Sequence, residues 1–234
     1  MKKDSKRKTK ILEGLDIEKQ YTISEAIKII KKIASAKFDE TIEISINLGI
    51  DTQQSDQAVR GVIDLPKGTG KTSKVAVFAR DEKAKEAKSA GADYVGAEDL
   101  AESVEKGKIN FDRVVATPDM MAIVGKLGKI LGPKGLMPNP KLGSVTLELD
   151  KVIKSIKAGQ VEFRAEKAGI IHAGLGRVSF GENDILMNIA SFIESVKKAR
   201  PAGTKGQYLK KISIGSTMGP SLKIDLSSID EASK

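Results

Sequence analysis

The stretch Leu65-Pro-Lys-Gly-Thr-Gly-Lys-Thr-Ser73 contains Gly70-Lys71-Thr72, the tail of the phosphate-binding pattern G-x-x-x-x-G-K-[ST]. In that loop backbone N–H groups wrap the phosphates, the Lys reaches them and the hydroxyl holds Mg²⁺. The pattern requires a Gly five residues before Gly70, and position 65 is Leu. It also requires a helix directly afterwards, whose N-terminal amides and dipole hold the phosphate. The next residues, Ser73-Lys-Val-Ala-Val-Phe-Ala79, read as a strand. The stretch therefore predicts no nucleotide site and reads better as a flexible Gly-rich link. Other reactive groups are few. The chain has no Cys, which excludes thiolate metal sites, disulfides and Cys nucleophiles. The single His172, in the apolar run Ala168-Gly-Ile-Ile-His-Ala-Gly174, excludes a His-based metal cluster and reads as structural. No catalytic set, metal or cofactor is expected.

Positive charge is the chemistry present in quantity. The net charge is +9, from 40 Lys and Arg against 31 acids. Such a balance argues for a polyanionic partner, not for a fold. The opening MKKDSKRKTK reads as a solvated basic arm. From Ser195 to Ile224 there is no acid, and Lys197, Lys198, Arg200, Lys205, Lys210, Lys211 and Lys223 all fall there. The run 126–141 carries Lys126, Lys129, Lys134 and Lys141, again without an acid. Several acid-free runs in one small chain make nucleic acid the expected partner. Aromatic residues are only 4% and Trp is absent, so single-strand stacking platforms are lacking. That favours structured RNA, recognised through shape, phosphate and 2′-OH.

The elements that must position these residues change in style along the chain. Thr22-Ile-Ser-Glu25 is a capping box before a helical run at 26–34. Residues 41–49 alternate, with Ile42, Ile44, Ile46 and Leu48 on one face of a strand, and 59–65 reads as its neighbour. From 73 the pattern alternates strand and helix with short links, which predicts a parallel sheet flanked by helices. After a helix opening at Pro118, Gly and Pro are so frequent up to 146 that the chain is expected to loop, Lys-bearing and able to lay its backbone against phosphate. The last helix of the block is expected at 150–159. Strands near 160–165 and 169–174, a long helix before Pro201 and two final strands come after it. Because a lone pair of strands is marginal, the two ends are expected to combine. The predicted fold mixes α+β and α/β. Residues 1–67 and 159–234 form one discontinuous α+β domain, and 68–158 form an inserted Rossmann-like three-layer α/β domain. Gly68, Gly70 and Gly159 are the expected hinge. No apolar run approaches the ~18 residues of a membrane helix and no secretory segment is evident, so a soluble cytoplasmic protein is expected.

The stretch Ala116-Thr-Pro-Asp-Met-Met through Gly143-Ser-Val-Thr146, with KILGPKGLMPNPK inside it, resembles the signature of the large-subunit ribosomal protein L-one family. AKFDETIEI (36–44), SDQAVRGVIDLPKG (55–68), AGADYVG (90–96), IKAGQVEFRAEKAGIIHA (156–173) and STMGPS (216–221) extend the resemblance, in order, over nearly the whole chain. It implies a protein of the mobile lateral stalk beside the ribosomal exit site, a monomer within the ribosome that binds folded large-subunit rRNA. It also implies help in releasing deacylated exit-site tRNA and repression of translation through a mimic of the rRNA site in the protein's own mRNA. The implied RNA contacts are Lys37, Phe38, Thr41, Arg164, Lys167, Thr217, Met218 and Gly219. Their chemistry suits RNA, with cations for phosphate, hydroxyls for 2′-OH, a glycine for close approach, and two apolar groups for contact.

Two other classes stay in view. A Rossmann-type enzyme would need G-x-G-x-x-G after its first strand, and Val75-Ala-Val-Phe-Ala-Arg-Asp81 has no glycine. A DNA-binding architectural protein is compatible with the charge, but helix-turn-helix and zinc-finger signatures are absent.

Overall fold

The computed structural model describes residues 9, 11, 15, 16, 18–204 and 206–228. The basic arm (Thr9 aside) and Lys205 lie outside the described residues. The first elements in chain order are β1 (Gln20–Tyr21), α1 (Ile23–Ile33), β2 (Thr41–Leu48) and β3 (Arg60–Asp64). Next come β4 (Val75–Phe78), α2 (Asp81–Ser89), β5 (Tyr94–Gly96), α3 (Glu98–Glu105) and β6 (Arg113–Ala116). After them stand α4 (Met121–Lys126), α5 (Gly128–Leu131) and α6 (Leu149–Ala158). The chain finishes with β7 (Gln160–Arg164), β8 (Ile170–Arg177), α7 (Glu182–Lys198), β9 (Leu209–Ser216) and β10 (Ser221–Ile224). The described residues are thus mixed α and β with three sheets, and contacts divide the chain into two compact units. One is Met1–Gly70 with Val161–Lys234; the other is Lys71–Gln160.

The first unit is built on a five-stranded sheet in the order β1-β10-β9-β2-β8. Alternation along β2 sends Ile42, Ile44, Ile46 and Leu48 to one face, where all are buried. Two amphipathic helices contribute to the same core. α1 starts at Thr22, whose hydroxyl accepts the Glu25 N–H while the Glu25 carboxylate accepts the Thr22 N–H. It buries Ile23, Ala26, Ile27 and Ile30. α7 buries Ile185, Ile189, Phe192 and Val196, spaced as a single stripe.

The expectation that 59–65 neighbours β2 is wrong. β2 lies between β8 and β9, antiparallel to both, and β3 pairs with β7 in a separate two-stranded sheet. A central strand needs neighbours that extend its apolar face, and Ile171, Ala173, Ile212 and Ile214 do so. In β3, by contrast, Ile63 is buried while Val62 is exposed. Its Gly61 lies flat under Phe163, where an added Cβ would meet the ring at 2.8 Å.

The second unit has a parallel sheet in the order β5-β4-β6. All four residues of β4 are buried, as a central parallel strand covered on both faces requires. Val75 and Val77 pack with Leu149 and Ile153 of α6 on one side. Ala76 and Phe78 pack with α3, α4 and α5 on the other. Two carboxylates fix the entry to β4. Asp93 accepts the Val75 N–H at 2.9 Å and Asp112 the Lys74 N–H at 3.1 Å. The Val75 hydrogen bond, aided by Lys157, holds the Asp93 carboxyl below its ordinary range. Lys71, then Lys74, does the same for Asp112.

The helix expected to open at Pro118 is present, as a 3₁₀ turn at Pro118–Met120 followed by α4 and α5, and the expected loop begins only at Gly132, broken by a 3₁₀ turn at Pro140–Leu142. Val124, Leu127 and Leu131 recur at helical spacing and are buried. That anchoring outweighs the poor helix propensity of the interspersed glycines.

Candidate nucleic-acid interface

Six of the eight candidate residues meet at one end of β2. The loop 34–40 enters the strand at Thr41, and the turn between β9 and β10 carries Thr217, Met218 and Gly219. Thr217 extends the ladder: its N–H donates to Thr41 O at 3.0 Å and its Oγ1 accepts the Thr41 N–H at 3.0 Å. Arg177 donates to both Thr41 Oγ1 and Asp39 O at 3.0 Å. Gly219 has no room for a side chain, because an added Cβ would lie 2.5 Å from Ser216 Oγ. Above this frame Phe38 is 55% exposed and Met218 47%, two large apolar side chains left in solvent. Lys37 beside them is exposed.

The group that locks these two loops together is Glu40, only 2% exposed. Its Oε1 accepts the Ala36 N–H at 3.2 Å. Its Oε2 accepts the Ser216 hydroxyl at 2.6 Å and the Met218 N–H at 3.1 Å. A buried carboxylate is tolerated because donors surround it. In exchange it fixes the loop bearing Lys37 and Phe38 against the turn bearing Met218. Nothing in a single sequence marks this acid as different from its neighbours.

Arg164 and Lys167 lie elsewhere. Arg164 is the last residue of β7 and Lys167 lies on the link to β8, closed by Gly169 at φ 73°. Both side chains are exposed, and Lys167 O accepts the Thr52 hydroxyl at 2.6 Å. In the antiparallel register Thr41 faces Arg177 and Asn47 faces Ile170. The pair is therefore at the other end of β2, about 20 Å away at about 3.3 Å per residue. Between the two ends lies the open face of the sheet. Its outward residues are small or polar: Ser45, His172, Lys211 and Ser213, with Glu43 the acid among them. Ser45 Oγ and His172 Nδ1 are hydrogen-bonded at 3.0 Å. The alternation that buries Ile44 and Ile46 is the signal that places Ser45 outside, and the same holds for Ser213 beside Ile212 and Ile214.

A ribosomal family model, described as the Ribosomal protein L1p/L10e family, matches residues 30–220. The chain belongs to that family. All eight candidate residues fall inside the matched span. A member of the L1p/L10e family is a structural constituent of the large ribosomal subunit that binds rRNA, not an enzyme, and its place is the ribosome in the cytoplasm. Among the described residues no helix is long and apolar enough to cross a membrane. Nor does any group of three or more His, Cys, Asp or Glu there stand ready to hold a metal ion.

The features that suggested nucleotide chemistry have other employment. Lys71 is paired with Asp112 at 2.7 Å, and the residues after it run into β4, not into a helix. The crevice beyond the carboxyl ends of β4 and β6, about 590 Å³, is lined by Asp81, Glu82 and Asp119 beside Arg80, Lys83 and Thr117. Arg80 and Lys83 are already paired, with Glu98 and Glu86, so the surplus charge there is negative and repels phosphate. The three expected hinge glycines all have positive φ: 65° at Gly68, 69° at Gly70 and 110° at Gly159. Only Gly adopts that region at little cost. Buried Asn188 accepts the Lys67 N–H at 3.1 Å and donates to Gly68 O at 2.9 Å. Gly70 is also held within the first unit, since an added Cβ would meet Phe180 at 2.9 Å. Gly159 caps the C-terminus of α6.

Proposed function

We propose that the first unit acts as a discontinuous RNA-binding domain. It grips a folded segment of large-subunit rRNA with Lys37, Phe38, Thr41, Thr217, Met218 and Gly219, and with Arg164 and Lys167 at a second point along the same strand. The observation that carries this reading is the pair of solvent-exposed apolar side chains, Phe38 and Met218, on two loops fixed to one buried carboxylate. Exposed large apolar groups on a rigid frame mark an interaction site, and the flanking hydroxyls and cations suit RNA. The rRNA complex forms the mobile lateral stalk and assists release of deacylated tRNA from the exit site. The same surface represses translation by binding a mimic of the rRNA site in the chain's own mRNA. The second unit is a Rossmann-like inserted domain, and Gly68, Gly70 and Gly159 form the hinge on which the domains turn. The protein works as a monomer within the ribosome.

Filter binding of the full chain to the folded rRNA segment, its own mRNA leader and duplex DNA tests the central claim. The two RNAs should compete, and DNA should not. Met218→Ala should weaken both RNA complexes equally, by about 1–3 kcal/mol, a typical loss for one specific contact. A variant that loses rRNA but keeps the mRNA would end the single-surface reading. For the hinge, small-angle scattering of the free chain should require more than one shape, and a fit by one rigid shape would count against it.

A further inference from the structure

Every exposed residue from 121 to 143, in the second unit, is glycine, alanine, proline or lysine. Lys126, Lys129, Lys134 and Lys141 are all exposed, and none of them forms an ion pair among the described residues. No acid occurs between Asp119 and Glu148. Along this stretch the lysines are the only long side chains classed as exposed.

Two of the stretch's glycines are not required by the fold. Gly125 and Gly128 lie in α4 and α5 and are absent from the positions of positive φ. A Cβ added to either would meet nothing within 4 Å. Glycine is the poorest helix former after proline, so its presence at both sites weakens the helices with no compensation inside the chain. Contact with an outside partner that presses against the main chain supplies the missing reason.

We infer that the 121–143 stretch is a second RNA contact, which seats the phosphate backbone of a duplex between its lysines and close to its glycines. The charge selects a polyanion. The face offers no exposed aromatic for stacking a base and no large apolar group for a protein partner. A duplex, read through backbone and shape, is what remains. The stretch lies in the second unit and shares no residue with the specific surface of the first, so a duplex lacking the specific segment, read against substitutions confined to the second unit, tests it.

The full chain is titrated with a 20-base-pair RNA duplex that lacks the specific rRNA segment, over a range of salt. Lys126→Ala with Lys129→Ala should flatten the slope of log K against log salt by up to about two units, about 0.9 for each phosphate no longer neutralised. The control is Lys151→Ala with Lys154→Ala, which removes the same charge from lysines paired with Glu148 and Asp150. It should change the slope far less. Gly125→Gln, which keeps the charge and favours the helix, should weaken duplex binding at least threefold without lowering the melting temperature. A DNA duplex of the same sequence should bind less tightly than RNA. Equal effects in the two lysine pairs, wild-type duplex affinity in Gly125→Gln, or equal binding of DNA would each overturn the inference.

Discussion

Glu40→Gln separates the positioning role of this carboxylate from its charge, because the two act in opposite directions. The carboxylate accepts from Ala36 N–H through one oxygen, and from Ser216 Oγ and Met218 N–H through the other. A Gln of the same shape offers one oxygen and one NH₂. The Ser216 hydroxyl can rotate and accept from the NH₂, but a backbone N–H cannot reverse. In either orientation one of the two N–H groups, Ala36 or Met218, faces a donor. A buried donor left without a partner costs about 1–3 kcal/mol, so the first unit should lose about 2 kcal/mol of stability. If the Met218 amide is released, the 217–219 turn loosens, and affinity for the specific rRNA segment should fall about 5–30-fold, at about 1.4 kcal/mol per factor of ten. Removing a negative charge beside Lys37 acts the other way and should slightly tighten binding to any RNA. The assay is a pair of titrations, specific segment and unrelated duplex, beside a thermal melt. Weaker specific binding with unchanged or tighter duplex binding supports the positioning role. A lowered melting point with wild-type specific affinity would refute it.

Three further outcomes are expected. Burial raises the Tyr208 hydroxyl from 10.0 to about 12, so its contribution is complete below pH 10 and is lost as pH rises towards 12. At about 1.4 kcal/mol per pH unit that amounts to about 3 kcal/mol, which Tyr208→Phe should abolish from an alkaline unfolding curve; identical curves would remove the argument. Lys71→Ala should leave specific RNA affinity within about threefold (under 0.7 kcal/mol) and reveal no ATPase, because Lys71 serves Asp112; an ATPase lost in the variant would overturn that assignment. A chain joining Met1–Gly70 to Val161–Lys234 through a short glycine linker should fold and keep most of the specific affinity, while residues 71–160 alone should bind weakly. Equal binding of the rRNA segment by the 71–160 piece would reverse the proposed division of labour.

How much the sequence discloses depends on the range of each interaction. The capping box at Thr22, the alternation of Ile42, Ile44 and Ile46, and the buried run Val75–Phe78 are local patterns, each fixed by neighbours a few residues away. They are legible for that reason. The partners of β2 are not local. Residues 59–65 stand nearest in sequence, yet β8 and β9 from the far end of the chain carry the faces that complete the sheet. The helix at Pro118 is legible from its start signal, but how far it runs is not, because Gly and Pro dominate the composition while three buried side chains, Val124, Leu127 and Leu131, carry it to Leu131.

The site shows the same limit more sharply. Thr41 and Thr217 lie 176 residues apart, yet hydrogen bonds join them. Lys167 lies only ten positions from Arg177, which touches Thr41, yet the antiparallel run of β8 carries it to the opposite end. The family resemblance names all eight candidates together, without saying where each lies in the fold. The register of β2 against β8 divides them into two footholds about 20 Å apart, with Ser45, His172, Lys211 and Ser213 between. An RNA that uses both footholds must run along the open sheet face, so those four intermediate residues are where a shape-reading contact would be completed.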